Sequence, residues 1–152
     1  MKIALLFAAV LLCTALPACD KDDDNDDNIE ERSGLALGGN QEVPAINVPA
    51  TGSMNVRYDK TSKVLSFTVN WQGLSGAPTG AHIHGTAAKG ANAGVKYNFS
   101  SGFPQTASGT YSGTTTADGV SIKEDSLLNG FYYINIHTAA NPGGEIRGQI
   151  EF

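Results

Sequence analysis

Cysteine is almost missing from this chain: Cys13 and Cys19 are its two examples in 152 residues, and both lie close to the N-terminus. The remainder therefore has no disulfide, no thiol nucleophile and no thiolate metal site. Long apolar runs are equally scarce. Residues 3–16 form one, but it falls short of the about 20 residues that a membrane-spanning helix needs. An excess of basic charge is also missing. The net charge is −5, and from Ser33 onward acids and bases number seven each. No basic patch is encoded, so nucleic acid is not an expected partner. Catalytic signatures are thin as well. There is no G-x-S-x-G elbow, no S-x-x-K, no phosphate-cradling glycine loop ahead of a helix, and no suggestive pair among the seven scattered acids. An enzyme is the less favoured expectation.

What is present begins with Lys2 and the apolar run, which together read as a secretory leader. Leu16-Pro17-Ala18-Cys19 follows and resembles a lipobox, with Leu16 and Ala18 as the signal-peptidase recognition residues and Cys19 as the lipid anchor. Several acyl chains on one residue hold a protein to a membrane stably, because each buried methylene adds roughly 0.8 kcal/mol. Next come eight acids, Asp20, Asp22, Asp23, Asp24, Asp26, Asp27, Glu30 and Glu31, against Lys21 and Arg32. That run has too little apolar surface to fold and repels itself into an extended tether. A calcium loop is not encoded there, since the glycine and closing glutamate are missing. The expected organisation is a lipoprotein signal peptide over residues 1–18, a disordered acidic tether over 19–33, and a β domain over 34–152. The location follows: extracytoplasmic, lipid-anchored to a bacterial membrane. The acidic run resembles the surface-export signals of some lipoproteins and favours the outer membrane or cell surface, although Asp20 directly after the cysteine resembles an inner-membrane retention signal.

The domain reads as strands. Leu65, Phe67, Val69 and Trp71 alternate with Ser66, Thr68 and Asn70, and residues 53–58 precede them across an Asp59-Lys60-Thr61-Ser62 turn, which predicts a hairpin. Tyr132, Ile134 and Ile136 alternate with Tyr133, Asn135 and His137. Asn141-Pro142-Gly143-Gly144 then turns the chain into Ile146, Gly148, Ile150 and Phe152, a second hairpin. Shorter strands are expected at 81–84, 95–99 and 109–115, and a turn or two of helix at 122–128, stopped by Asn129-Gly130. The fold class is all-β, an antiparallel β-sandwich or barrel with Ig-like or superoxide-dismutase-like Greek-key topology.

The three histidines fall in two of these strands. His82 and His84 share one face, about 6–7 Å apart, and His137 joins them if its strand is a neighbour. Three imidazoles form a recognised zinc or copper set, with Glu42, Asn135 and Glu145 as candidate supporting residues. The H-x-H on a strand resembles copper–zinc superoxide dismutase, but three histidines cannot supply that two-metal centre. The plainer alternative is that the imidazoles bond to backbone, Asn135 or Thr138 and pack the sheet. Trp71, Tyr97, Tyr111, Phe131 and Tyr132 would make a sugar-stacking surface if exposed, and cross-strand core pairs if not.

Four blocks in order, Leu37-Gly38-Gly39-Asn40-Gln41-Glu42-Val43-Pro44, Ala81-His82-Ile83-His84-Gly85, Tyr133-Ile134-Asn135-Ile136-His137-Thr138 and Asn141-Pro142-Gly143-Gly144-Glu145-Ile146-Arg147-Gly148-Gln149-Ile150, resemble the CHRD domain, the chordin-type module. The resemblance spans roughly residues 35–152. It implies an extracellular binding module and carries over no catalytic residue. The leading expectation is thus a non-catalytic, lipid-anchored binding or cell-envelope module without a cofactor, its partner an extracellular protein or glycan. The alternative is a mononuclear zinc or copper domain with redox or hydrolytic activity. Cys19→Ser is expected to give an unacylated, mislocalised chain with an intact β domain. Incorporation of labelled fatty acid checks this, and label in the variant would contradict it.

Overall fold

A computed structural model describes residues 27–152. The leader, Leu16, Ala18, Cys19 and most of the acidic run lie outside the described residues. Within them the chain forms β1 (Ile29–Gly38), a 3-10 turn (Gly39–Gln41), β2 (Thr51–Asp59), β3 (Val64–Gln72), β4 (Pro78–Gly85), β5 (Val95–Asn98), β6 (Gly109–Thr116), a short helix α1 (Glu124–Leu128), β7 (Tyr132–Thr138) and β8 (Ile146–Ile150). Every pairing is antiparallel, in the order β5-β4-β7-β8-β1-β2-β3-β6. No helix among the described residues is long and apolar enough to cross a membrane.

Both predicted hairpins form. β2 and β3 pair from Thr51↔Gln72 to Asp59↔Val64. Their turn is held by Asp59 Oδ1, which accepts from the N–H groups of Thr61 and Ser62 at 2.8 and 3.0 Å. β7 and β8 pair from Tyr132↔Ile150 to Ile136↔Ile146. The sheet curls until its edge strands meet through side chains. The Tyr97 hydroxyl on β5 donates to the Thr114 carbonyl on β6 at 3.1 Å, and the Phe99 and Tyr111 rings stack at 5.4 Å. The result is a nearly closed barrel, joined along that seam by aromatic contact rather than by a ladder of backbone bonds.

Period-two alternation fills the interior. Met54, Val56 and Tyr58 from β2, the Leu65–Trp71 set from β3, Ala81 and Ile83 from β4, Ile134 and Ile136 from β7, and Ile146 and Ile150 from β8 are all buried. Each large aliphatic side chain so placed contributes about 1.5–3 kcal/mol. The aromatics expected as a possible sugar platform serve this core instead. Trp71 and Tyr132 are buried, Trp71 stacks on Phe103 at 4.3 Å, and Tyr97 and Tyr111 pack against the core. Phe131 stays exposed but stands apart from that group.

The two halves of the sheet treat their outer face differently. On β2, β3 and β6 it carries polar groups open to solvent, among them Asn55, Arg57, Thr110, Ser112 and Thr114. On β4, β7 and β8 it is covered. Residues 86–94 and the segment after β1 lie across it, joined by a bond of 2.7 Å from Asn92 Nδ2 to the Val43 carbonyl. Those three strands are buried on both sides, and their outward side chains are polar.

One boundary differs from expectation. The tether assigned to residues 19–33 ends early, because β1 starts at Ile29 and pairs Ile29, Glu30, Glu31 and Arg32 with Asp59, Tyr58, Arg57 and Val56. The acidic composition hides a strand whose charges have cross-strand partners: Lys60 Nζ meets Glu30 at 2.6 Å and Arg57 Nε meets Glu31 at 2.9 Å. At Gly34, φ +72, the register then slips between Arg32 and Leu35, a bulge that glycine permits. A chain starting at Gly34 is therefore expected to unfold at lower urea than one starting at Asp27, by about 1–3 kcal/mol from the lost cross-strand pairs. Equal midpoints would contradict the assignment of Ile29–Arg32 to the sheet.

Candidate metal centre

The β4–β7 register assembles the site. Gly80 lies opposite His137, His82 opposite Asn135, and His84 opposite Tyr133. β8 adds Arg147 opposite Asn135 and Gln149 opposite Tyr133. Because Ala81, Ile83, Ile134 and Ile136 point into the barrel, the alternate residues share the covered outer face. The three histidines thus converge, with ring centroids 4.9 Å (His82–His137), 5.5 Å (His82–His84) and 5.7 Å (His84–His137) apart. One ring nitrogen from each lies within 4.8 Å of the others.

Backbone carbonyls set their tautomers. His137 Nδ1 is 3.0 Å from the Pro142 carbonyl and His84 Nδ1 is 2.9 Å from the Ala93 carbonyl. A carbonyl only accepts, so both Nδ1 atoms carry the proton and both Nε2 atoms keep a lone pair. His82 Nδ1 lies 3.1 Å from His137 Nε2 and must be the donor there. His84 Nε2 is buried and has no hydrogen-bond partner.

Electrostatics keep these rings neutral. Burial, and then the neighbouring His137 and His84, push His82 down to about 4. Burial also lowers His84, with Arg147 adding to the effect and the Ala93 carbonyl opposing it. His137 is lowered by burial, against its bond to Pro142. Neutral imidazoles with free lone pairs are the form that ligates a metal.

Behind His84 stands a layered support. The Tyr133 ring stacks on His84 at 4.9 Å with 5° between planes, and the Arg147 guanidinium carbon sits 3.4 Å from the Tyr133 ring centroid. Arg147 is fully buried. It donates to the carbonyl of Ala91 at 2.9 Å, to Asn92 Oδ1 at 3.3 Å and to Gln149 Oε1 at 3.3 Å. The Tyr133 hydroxyl donates to the Ala93 carbonyl at 3.2 Å, the same oxygen that holds His84. Imidazole, phenol and guanidinium are stacked like plates, and one loop carbonyl fixes two of them.

The expected supporting residues take other roles. Asn135 sits beside His82 in the pairing, but its Nδ2 donates to Glu42 Oε2 at 3.2 Å. Glu42 Oε1 and Asn135 Oδ1 are buried without partners. Gly144 closes over this pair at φ +132, and a Cβ there would lie 2.5 Å from Asn135 Oδ1 and 2.6 Å from Glu42 Oε1, so both backbone and space demand glycine. Glu145 does not join the histidines. It is buried beyond the end of β7, where Ser75 Oγ and Thr138 Oγ1 donate to Oε2 at 2.6 and 2.5 Å. Burial raises its pKa, yet the bonds from Ser75, Thr138 and Asn141 outweigh that and hold it below the usual range. The orientation expected of Glu42 or Glu145 comes from the Pro142 and Ala93 carbonyls instead. Tyr133 and Arg147 are the residues missed as site members. Alternation from His137 back through Asn135 to Tyr133 was the signal that reached one of them.

A family model described as the CHRD domain matches residues 34–150. No curated protein and no solved structure matches the chain.

Glu42 offers a test of the buried pair. Burial raises its carboxyl to about 7, against the pull of Arg147 and of the Asn135 hydrogen bond. Between the unfolded value near 4.5 and this folded value the native state holds a proton that the unfolded state has lost, so stability falls as pH rises through that window. Glu42→Gln keeps the shape, supplies an N–H and removes the titration. Relative to the variant, the wild type is expected to lose up to about 3 kcal/mol between pH 4.5 and 8, read from urea unfolding. Parallel profiles would contradict the burial of an ionisable carboxyl here.

Proposed function

The chain belongs to the CHRD domain family, and from that premise we propose that it is an extracytoplasmic binding module, tethered through lipid on Cys19, whose ligand is a single transition-metal ion held by His82, His84 and His137. Membership in the family supports an extracellular binding role. The leader and lipobox support the tether and favour a bacterial outer membrane or cell surface. The observation that carries the metal reading is the buried, partnerless Nε2 of His84 within reach of two further imidazole nitrogens. A lone pair in that position costs about 1–3 kcal/mol while unsatisfied, and a cation satisfies it.

The surroundings favour the same ligand. In metal sites a ligating histidine typically donates its second ring N–H to a carbonyl or carboxylate, which orients the ring and raises its basicity. Ala93 and Pro142 do this for His84 and His137. A metal–nitrogen distance of about 2.0–2.1 Å in a tetrahedral site places nitrogens about 3.3 Å apart. The His82–His137 pair already lies at 3.1 Å, so closure requires His84 to approach. His82 must also change tautomer, its Nδ1 proton exchanging through solvent for one on its own Nε2, so that the ring stays neutral and Nδ1 is freed. Neutral imidazole suits zinc and copper. A glycan platform is less supported, since four of its five expected aromatics pack in or against the core.

Full-length chain without added histidines is expected to bind one equivalent of copper(II) or zinc by calorimetry and elemental analysis. Thermal unfolding then moves upward by mass action. His84→Ala is expected to weaken binding more than about 100-fold while circular dichroism keeps the β spectrum. Failure of the folded wild type to take up either metal would overturn the reading.

A further inference from the structure

The proposed centre has three protein donors, and the structure gives reason to name its fourth. Among the described residues the cluster contains His82, His84 and His137 and no carboxylate or further histidine. Neither acid in this region joins the cluster. Glu145 is bonded to Ser75 and Thr138, and Glu42 is bonded to Asn135 under Gly144. Cysteine is absent from the described residues. A closed structural site takes four protein ligands, whereas three with an open position is the pattern of sites that receive a ligand from outside.

Access and charge point the same way. His84 forms the buried floor, while His82 and His137 are half-buried and make the rim. Three neutral imidazoles leave the full double charge of a divalent ion uncompensated. Arg147 adds a further positive charge one ring away, on the far side of Tyr133. Glu42, the acid that acts on that guanidinium, is buried and raised to about 7, so at neutral pH it is about half ionised and offsets only part of this charge. A low-dielectric, net-positive pocket with one vacant direction selects a negatively charged donor.

We propose that the trihistidine centre keeps one coordination position open toward solvent and fills it with a small anion rather than with a protein side chain. This rests on the metal reading above. Azide is the anionic probe and imidazole the neutral one. Copper(II)-loaded, untagged full-length chain, with the stoichiometry of one confirmed first, is titrated with each while visible absorption and electron paramagnetic resonance are recorded. Azide is expected to produce a saturable new charge-transfer band, and imidazole to bind at least tenfold more weakly. A spectrum unmoved by azide on the loaded protein would overturn the open position and leave metal binding standing. Imidazole binding as tightly as azide would overturn the preference for an anion. If the wild-type chain takes up neither copper nor zinc, the metal reading and this inference fall together, and a chain that takes zinc alone is titrated as its cobalt(II) form with the same outcomes.

Discussion

The pairing of β4 with β7 is the constraint on which the rest of the site depends. With Gly80 opposite His137 and His84 opposite Tyr133, the apolar residues of both strands enter the barrel and the imidazoles gather outside it. A slip of one residue would send the histidines inward and Ile83, Ile134 and Ile136 out under the loops. The same isoleucines that stabilise the core therefore also fix where the nitrogens stand. Fold and site are specified by one register.

That arrangement is costly to build, and the covering loops offset the cost. An outer sheet face bearing His82, His84, Tyr133, Asn135, His137, Arg147 and Gln149 would ordinarily be left to water. Here residues 86–94 lie over it and satisfy what they bury: Ala91 and Asn92 take Arg147, Ala93 takes His84 and Tyr133, and Ala87 takes Gln149. The exceptions are informative because buried polar groups are seldom left unpaired. His84 Nε2 faces the other imidazoles. Glu42 Oε1 and Asn135 Oδ1 lie together against Gly144, where a proton on the carboxyl gives the pair its missing donor. A metal ion, as proposed, would answer the first exception, and protonation answers the second.

Much of the barrel was legible from residue order, and the reason is physical. Where one face of a strand meets solvent, as in β3, hydrophobic and polar residues alternate cleanly and the strand announces itself. Where both faces are buried, as in β7, the polar residues at 133, 135 and 137 look like an exposed face, and nothing local says that a distant loop covers them. The convergence of the histidines followed from H-x-H and a neighbouring strand. Their orientation did not, because it is set by carbonyl groups of Ala93 and Pro142, which every residue type possesses. Arg147 was visible in the turn-and-strand block from Asn141 to Ile150 but not as the cap of Tyr133. At the N-terminus, composition misled in the opposite direction: an acidic stretch that reads as a tether pairs from Ile29 onward because Lys60 and Arg57 wait across the sheet.

Three neutral imidazoles gather at one point, with a free lone pair on His84 Nε2 and, between His82 and His137, a hydrogen bond that a metal ion would have to displace. Nitrogen-15 magnetic resonance of histidine-labelled protein reads this directly, since protonated, bare and metal-bound ring nitrogens have separate shifts. Neutral rings are expected at pH 7, with unprotonated Nε2 atoms on His84 and His137, and one equivalent of zinc is expected to change one nitrogen of each histidine simultaneously. A charged ring among the three at that pH, or a His84 signal indifferent to zinc, would contradict it.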